Sequence, residues 1–317
     1  MSVRAYAPAS IGNFAAGFDL LGAALAPLDG APWGDVVRAQ EAASPSLTLS
    51  GPHAGRMPED PWENLVLRTW RLFREAVAAG GGTCPAFAFH LEKNLPSASG
   101  LGSSASSVAA TLVACQHLAG APLSRPELFT VAGRAEGLAS GAVHLDNVVP
   151  ILAGGLQLLV PGEEGAPVAR PLPWPDDLVL VVASPALELA TAASRQVLPR
   201  SFSLAAVLAF AQNLAGFVHA VDAGDRALLR SCLRDVLTEP YRAGLVPGFR
   251  AAQAAALARG ALGCGLSGAG PAIFAVAESR PEGEAIGAAV GEALAAAGLA
   301  AEIRLCGLDR QGARVLP

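Results

Sequence analysis

Lysine is almost absent from this sequence of 317 residues: Lys93 is the only one, and arginine supplies nearly all of the positive charge. Charged residues make up only 15% of the chain and aromatic residues 5%, and the net charge is −5. An acidic chain has no general attraction for nucleic acid or anionic lipid, and few aromatic side chains are available to stack bases. The apolar content of 52% excludes a disordered or fibrous chain. The composition predicts a globular protein without a nucleic-acid or membrane partner.

The cysteines also lack a pattern. They are scattered, odd in number and without a C-x-x-C pair: Cys84, Cys115, Cys232, Cys264 and Cys306. Such a set is typical of reduced thiols in a cytosolic protein and not of a disulfide framework or a zinc site. The first ten residues contain no apolar stretch of the kind that a signal peptide has. The apolar run from Asn147 to Gly162 is too short to span a bilayer. We therefore expect a soluble, cytoplasmic protein.

Hydrophobic periodicity predicts a chain that mixes strands with helices. The predicted strands are 1–7, 35–49, 86–92, 154–162, 178–185, 272–279 and 301–307. The predicted helices are 61–81, 103–120, 125–139, 203–222, 248–260 and 282–298. Residues 163–177 are rich in proline and glycine and read as a connector, so we expect a boundary near 155–175. The pattern predicts an α+β fold of two domains, at 1–160 and 161–317.

The stretch LPSASGLGSSASS at 95–107 is the most informative local feature. Its letters fit G-x-G-x-x-A, but no buried strand runs straight into the glycines and no acid follows a second strand, as a dinucleotide site requires. A Walker loop is also excluded, because no lysine follows the second glycine. A Ser/Gly loop that opens a helix does present backbone N–H groups and the positive end of the helix dipole to an anion. The hydroxyls of Ser103 and Ser104 lie at that first turn, where one could reach a magnesium ion.

Six segments in order resemble the GHMP kinase family, which is named for galactokinase, homoserine kinase, mevalonate kinase and phosphomevalonate kinase. LPSASGLGSSASS resembles the phosphate loop of that family, and GLSGAGPAIFA resembles its C-terminal glycine motif. The segments APASIGNFAAGFDLLGAAL, EGLASGAVHLDNVVP, TAASRQVLP and EPYRAGLVPGF have the form found in members that phosphorylate homoserine. The resemblance covers residues 3 to 315.

The resemblance implies a two-domain fold with the active site in the cleft between the domains. The N-terminal domain would carry a left-handed βαβ crossover, which departs from the usual handedness, and the C-terminal domain would be ferredoxin-like. The implied reaction is ATP-dependent, magnesium-assisted phosphorylation of the side-chain hydroxyl of L-homoserine to O-phospho-L-homoserine, a step toward threonine. The expected partners are these small molecules, with a homodimer as a further possibility.

The resemblance also carries over residues for the nucleotide and its metal ion. Ser104 and Glu136 would hold magnesium, which prefers hard oxygen ligands and few protein contacts. Asn64 would touch adenine or cap a helix, and Lys93 would assist with nucleotide charge or lie solvated at a strand end. The remaining nucleotide-binding residues would be those of the two glycine motifs: Pro96, Ser97, Ala98, Ser99, Gly100, Leu101, Gly102, Ser103 and Gly268.

For the acceptor, the resemblance implies a pocket for a small zwitterion. Asp19 would bind the ammonium group and Asn13 the hydroxyl end, while Arg195 and Arg242 would clamp the carboxylate, which a guanidinium can bind in bidentate fashion. Thr191 lies one helical turn before Arg195 and could share its face.

The segment HLDN would surround the reacting hydroxyl. His144 and Asn147 would line it, and Asp146 is the general base that residue type alone would suggest. Homoserine-phosphorylating members lack a clear base, however, so we expect Asn147 to position the hydroxyl and Asp146 to support the loop.

Three alternatives stay open at this point. A serine hydrolase would need a G-x-S-x-G elbow, and the sequence has none. A non-catalytic nucleotide sensor would be expected to have lost Glu136 or Ser104, and both are present. A related kinase could use mevalonate or shikimate, but neither has an ammonium group to pair with Asp19.

Overall fold

The computed structural model describes residues 2–141, 143–162 and 167–317. One sheet holds the first strand and the last, in the order β13-β1-β4-β6-β5. Its strands are β1 (Ser2–Pro8), β4 (Gly34–Glu41), β5 (Ser46–Ser50), β6 (Phe87–Glu92) and β13 (Arg314–Val315). Adjacent strands are antiparallel except for β5 and β6, which run parallel. In β6 the side chains of Phe87, Phe89 and Leu91 are buried and their neighbours half-buried, which confirms the predicted alternation.

Helices cover one face of this sheet and enclose the first core. They are α1 (Leu65–Ala79), α2 (Ser103–Leu118), α3 (Arg125–Ser140) and α4 (Val148–Ala153). α1 buries a stripe that includes Val66, Trp70, Phe73 and Val77, the spacing of an amphipathic helix. α2 is instead built from small and apolar residues and is buried along most of its length. The unit β5–α1–β6 is the βαβ crossover for which the resemblance predicts a left-handed path.

A second sheet joins the two halves of the chain, in the order β10-β11-β9-β12-β3-β7-β8, with β2 paired to β3. Its strands are β2 (Ser10–Gly12), β3 (Leu21–Pro27), β7 (Leu156–Pro161), β8 (Pro167–Leu172), β9 (Val179–Pro185), β10 (Gly263–Leu266), β11 (Ile273–Ala277) and β12 (Ala301–Leu308). The junction is the antiparallel pair β3–β12, in which Leu25 lies opposite Leu308. The cleft described below therefore lies between parts that share a sheet.

The second half contributes further helices. They are α5 (Thr191–Gln196), α6 (Leu204–Ala223), α7 (Arg226–Cys232), α8 (Glu239–Arg242), α9 (Phe249–Ala258) and α10 (Arg280–Ala296). α6 is long and apolar enough to cross a membrane by length and composition, and only 17% of its most apolar window is buried. One such helix does not by itself indicate a membrane protein. At 20 residues it is longer than the apolar run from Asn147 to Gly162, which is too short to span a bilayer.

Three predictions of secondary structure need correction. The segment 35–49, expected to be one strand, forms β4 and β5, separated by a bend at residues 42–45 where Pro45 removes a backbone donor. Part of the expected connector 163–177 forms β8, whose prolines are tolerated at the end of the sheet order; residues 163–166 lie outside the described residues. The short elements β2, β3, α4, α5, α7, α8, β10 and β13 were not predicted, because two to seven residues give little periodicity.

Candidate active site

The phosphate loop lies between the end of β6 and the start of α2, as the sequence predicts. Gly100 and Gly102 have φ angles of 80° and 65°, in the left-handed region that favours glycine. A Cβ atom at Gly102 would overlap the hydroxyl of Ser10. The first amides of α2 have no partner within a helix and point toward the loop. The loop therefore has the backbone conformation and the free N–H groups that an anion site needs.

A second loop, residues 267–270, packs against the phosphate loop from the C-terminal half. Ser267 Oγ donates to the carbonyl oxygen of Gly100 at 2.6 Å, and the amide of Ala272 donates to Ser99 at 2.9 Å. The carbonyl of Gly268 accepts from Asn13 Nδ2 at 2.9 Å and from Arg242 Nη1 at 3.2 Å. These bonds close one end of a cleft of about 420 Å³.

The cleft brings together nearly all of the residues that the sequence analysis selected. Those that line it are Asn13, Asp19, Asn64, Lys93, Ser97, Ala98, Ser99, Gly100, Gly102, Ser103, Ser104, Glu136, His144, Asp146, Asn147, Thr191, Arg195, Arg242 and Gly268. Pro96 and Leu101 are not among the lining residues. The side chain of Leu101 is instead fully buried in a hydrophobic core, and its packing there fixes the position of the loop.

Ser104 and Glu136 form a hydroxyl–carboxylate pair at the start of α2. Ser104 Oγ donates to Glu136 Oε2 at 3.0 Å across the gap between α2 and α3. Burial raises the pKa of Glu136 to about 7, although the bond from Ser104 opposes that rise. A carboxylate that is costly to ionise in a dry site gains most from a cation placed beside it.

This donor set fits a magnesium ion that is bound together with phosphates. Across residues 2–141, 143–162 and 167–317 there is no cluster of three or more His, Cys, Asp or Glu side chains that could hold a metal alone. Magnesium does not require such a cluster, because it is usually held by one or two protein oxygens, phosphate oxygens and water. The Ser104 hydroxyl and the Glu136 carboxylate are hard oxygen ligands of that kind, next to the anion-binding loop.

Lys93 lies beneath the loop and is engaged by the protein. Its ammonium group lies 2.5 Å from Asp35 Oδ2 and donates to Ser103 O at 2.8 Å and to Ser107 Oγ at 3.1 Å. The side chains of Lys93 and Asp35 are 2% and 0% exposed. An ammonium group has three N–H donors, and these contacts account for three. The prediction that Lys93 is solvated at the end of a strand is therefore wrong. A contact between Lys93 and the nucleotide stays a prediction, which these three bonds disfavour.

Asn64 caps α1 and still has a donor to offer. Its Oδ1 accepts from the amide of Val66 at 3.0 Å, so the capping role is present. Its Nδ2 is buried at the cleft and has no hydrogen-bond partner among the described residues. A buried amide donor without a partner is costly. The capping role therefore falls on Oδ1, and a contact between Nδ2 and adenine stays a prediction.

The segment from Asn13 to Asp19 is a strained loop that presents two of the residues predicted to bind the acceptor. Asn13, Phe14, Ala15 and Asp19 all have positive φ angles, of 64°, 45°, 54° and 59°. At Phe14 and Ala15 this conformation costs about 1–2 kcal/mol each, whereas Asn and Asp adopt it more readily. Asn13 Oδ1 accepts from the amide of Asp19 at 2.9 Å, which holds the loop closed. Strain of this kind persists only where the surroundings enforce it, and it is concentrated at functional sites.

Opposite charges meet at the end of the cleft that holds the residues predicted to bind the acceptor. Arg195 Nη2 lies 2.5 Å from Asp19 Oδ1 and donates to His144 Nδ1 at 2.9 Å. The guanidinium groups of Arg195 and Arg242 lie 5.2 and 5.1 Å from the ring centre of Phe18, so this ring contacts both cations. The side chain of Arg242 is 2% exposed. Two guanidinium groups and the carboxylate of Asp19 therefore lie close together in this part of the cleft.

Burial lowers the pKa of His144, and the guanidinium of Arg195 can only donate to Nδ1, so that nitrogen acts as the acceptor of a neutral imidazole. Since Arg195 donates to Nδ1, the hydrogen of the neutral ring lies on Nε2. That atom is buried without a partner in the part of the chain that the structure describes, and it is available to donate. Burial, with the charge of Asp19, raises the pKa of the neighbouring Asp146 to about 7.

Sequence reasoning missed several residues of this cleft. Phe18 lies within a recognised motif but carries no chemistry that would single it out before its two arginine contacts are seen. Met57 and Pro58 line the cleft from an irregular loop without periodicity. Ser10 contacts a site residue only because β2 passes beside the phosphate loop, which no local pattern shows.

Comparison with known proteins gives two family models that match this chain. The model of the GHMP kinases N terminal domain matches residues 64–155, and that of the GHMP kinases C terminal matches residues 217–296. The structure is similar to that of a homoserine kinase from Cytophaga hutchinsonii, with 32% identity, a TM-score of 0.89, and coverage of 99% of this chain and 97% of that one.

More distant solved structures share the fold. A Listeria monocytogenes protein assigned as a homoserine kinase has 24% identity and a TM-score of 0.72, with 99% of each chain covered. A mevalonate kinase from L. major, in complex with R-mevalonate, has 16% identity and a TM-score of 0.66, with coverage of 96% of this chain and 95% of that one. At these identities the likeness concerns architecture alone.

Proposed function

The chain belongs to the GHMP kinase family and has its two-domain fold, and we propose that it transfers the γ-phosphoryl group of ATP to the side-chain hydroxyl of L-homoserine. The observation that carries the proposal is the pairing of Asp19 with Arg195 in the cleft, where Arg242 packs against the same Phe18 ring as Arg195. An amino-acid acceptor would bring an ammonium group to the carboxylate and a carboxylate to the guanidinium groups. The product would be O-phospho-L-homoserine, an intermediate on the way to threonine.

The nucleotide end of the cleft supports phosphoryl transfer, a reaction that asks a protein mainly for positioning and charge neutralisation. Without a Walker lysine, the α2 amides would bind phosphate oxygens, and Asn64 Nδ2 would donate to adenine. Ser104 and Glu136 would hold magnesium, which when bound neutralises charge on the β- and γ-phosphates. The hydroxyl end of the acceptor would lie among Asn147, His144 and Asn13, between the arginines and the phosphate loop.

The test of this proposal is the release of ADP with ATP, magnesium and a panel of acceptors. We expect turnover with L-homoserine and little with L-serine, mevalonate or shikimate. The side chain of L-serine is one methylene shorter, so its hydroxyl would fall short of the phosphate when its charges are in place. Turnover of mevalonate or shikimate in preference to homoserine would overturn the acceptor and retain the kinase. ATP binding without turnover of any acceptor would favour a nucleotide sensor.

A sharper prediction concerns acceptors that carry only one charge. Asp19 and Arg195 are paired with each other, so a zwitterion can separate them and give each a new partner. 4-Hydroxybutyrate would leave Asp19 without its arginine, and 3-aminopropan-1-ol would leave the arginines without a carboxylate. Breaking a buried pair is strongly unfavourable, but these side chains are 35% and 28% exposed, which reduces the effect. We expect kcat/KM to fall roughly 100-fold or more for each analogue.

Variants assign that loss to the pocket. With Asp19→Asn, the ammonium group loses its partner, so the preference for L-homoserine over 4-hydroxybutyrate should shrink. The matched control is Asp222→Asn, which changes an exposed acid at the end of α6 and should leave the preference unchanged. Equal kcat/KM values for homoserine and 4-hydroxybutyrate in the unmodified enzyme would refute the zwitterion pocket.

A further inference from the structure

The side-chain amide of Asn147 lies where three glycine-containing segments meet. A Cβ atom at Gly12 would lie 2.6 Å from Asn147 Nδ2, one at Gly102 would lie 3.2 Å from its Oδ1, and one at Gly268 would lie 3.8 Å from Nδ2. These glycines come from the N-terminal motif, the phosphate loop and the C-terminal glycine loop. The amide therefore occupies space that the missing side chains leave open, between the phosphate loop and the acceptor end of the cleft.

The hydroxyl of Ser10 contacts this amide directly. Ser10 Oγ donates to Asn147 Oδ1 at 2.9 Å, across 137 residues of sequence. Ser10 is fully buried, and its amide donates to Leu101 O in the phosphate loop at 3.0 Å. On the other side, Asn147 Nδ2 donates to Asp146 Oδ2 at 3.2 Å.

The contact with Asp146 selects the orientation of the amide, and the Ser10 hydroxyl, which can donate or accept, donates to the oxygen that this orientation presents to it. In the flipped orientation Oδ1 would face the carboxylate of Asp146, and two acceptors would be in contact whenever that group is ionised. In the observed orientation Ser10 satisfies Oδ1 and Asp146 takes one hydrogen of Nδ2. The second hydrogen of Nδ2 is then available to an oxygen in the cleft.

We propose that Ser10 is a positioning residue that holds Asn147 as a hydrogen-bond donor toward the reacting oxygens. The inference rests on the proposed function, because it assigns a task to the same site. With Oδ1 occupied by Ser10, Asn147 offers the acceptor hydroxyl a hydrogen and not a lone pair. Asn147 thus orients that hydroxyl and does not take its proton.

The test compares Ser10→Ala with the unmodified enzyme under saturating ATP and acceptor. Loss of the hydroxyl leaves Oδ1 without its donor and lets the amide rotate away from the reacting oxygens. We expect kcat to fall roughly 10- to 50-fold, with KM for ATP and for the acceptor changed less than about twofold. Ser10→Cys, which keeps a weak donor of similar size, should recover part of the rate.

Two controls separate positioning from a loss of structure. Ser106 is another fully buried serine beside the loop, but its hydroxyl donates to Ala7 O and accepts from the Asp35 amide, and neither of these partners is one of the proposed site residues. Ser106→Ala should lower stability without lowering kcat. In a double-mutant cycle, Ser10→Ala should cost nothing further once Asn147→Ala is present, because Ser10 acts through that amide.

The outcomes distinguish this inference from the proposed function. If the unmodified enzyme turns over another acceptor, the proposed function fails, and the Ser10→Ala ratio is measured with that acceptor instead. An unchanged kcat in Ser10→Ala overturns the positioning role, as does an equal fall in kcat for Ser106→Ala. Additive effects of Ser10→Ala and Asn147→Ala would also overturn it, since they would show that Ser10 acts elsewhere.

Discussion

Glu136→Gln is expected to make the protein more stable at about pH 8 while it abolishes most of its kinase activity. The substitution keeps the size of the side chain and an oxygen that can accept from Ser104 Oγ. It removes the negative charge with which Glu136 would hold magnesium beside the phosphates. Because such a charge is worth several kcal/mol in the transition state, we expect kcat/KM for ATP to fall on the order of 10³-fold.

The gain in stability follows from the burial of the carboxyl group. Burial raises the pKa of Glu136 from 4.5 to about 7 in the folded protein. A raised pKa contributes stability that is fully present below about pH 4.5 and is lost as the pH rises through about 7. At 1.36 kcal/mol per pKa unit, ionisation above pH 7 costs the folded state on the order of 3 kcal/mol. Glutamine has no such cost.

The measurement is the midpoint of thermal unfolding without ligands at about pH 5 and about pH 8. The midpoint of Glu136→Gln should be higher than that of the unmodified protein at pH 8, and the difference between the two midpoints should shrink toward pH 5. Some loss at pH 8 should persist in the variant, because the pKa of Asp146 is also raised to about 7 by burial. If the variant were inactive but had the same midpoint as the unmodified protein at both pH values, burial would not raise the pKa of Glu136.

Glu127→Gln is the matched control on the same helix. Glu127 lies in the first turn of α3, is exposed, and accepts from the amide and hydroxyl of Ser124, which lowers its pKa. Its contribution has the opposite sign, since a lowered pKa gives stability that is lost as the pH falls. Glutamine can keep the capping arrangement, so activity should be unchanged.

The sequence predicts the parts of this site that depend on local chain geometry. Gly100 and Gly102 are recognisable because a loop that opens a helix needs left-handed residues and free amides, and the structure shows both. The charges of Asp19, Arg195 and Arg242 are identified only through the resemblance, since isolated arginines and aspartates on a surface have no pattern. Their convergence depends on sheet pairings between β3, β9 and β12 that no window of sequence contains.

Other features were inaccessible to sequence reasoning because they combine distant elements. The pairing of Asp19 with Arg195 joins residues 176 positions apart. Phe18 contacts two guanidinium groups, and this contact is visible only once the fold brings Arg195 and Arg242 to its ring. α6 is a further case, because most of its residues are apolar, and yet Leu204 and Leu208 are 74% and 53% exposed. Burial is a property of packing, and alanine-rich helices give few signals of which face is covered.

The burial of Lys93 is likewise a property of packing, since it depends on the pairing of its ammonium group with Asp35. Asp35→Asn is expected to lower the free energy of unfolding by about 3–5 kcal/mol, because it leaves the buried ammonium group of Lys93 uncompensated. The Asp35 carboxylate accepts from the amides of Asn94 and Leu95 and from Ser107 Oγ at 2.9, 3.1 and 2.6 Å, in addition to Lys93. An asparagine can supply only one acceptor oxygen, so at least part of this set is lost.

Denaturant unfolding, followed by circular dichroism, measures that loss, and the neighbouring residue of β6 provides the control. Glu92 pairs with Arg38 at 2.8 Å on the same two strands, but the arginine is 54% exposed. Glu92→Gln should therefore change stability by less than about 1 kcal/mol. Lys93→Met combined with Asp35→Asn should cost less than the sum of the single substitutions, because the buried charge is gone. If Asp35→Asn lowered the free energy of unfolding by no more than Glu92→Gln does, Asp35 would not compensate a buried charge on Lys93.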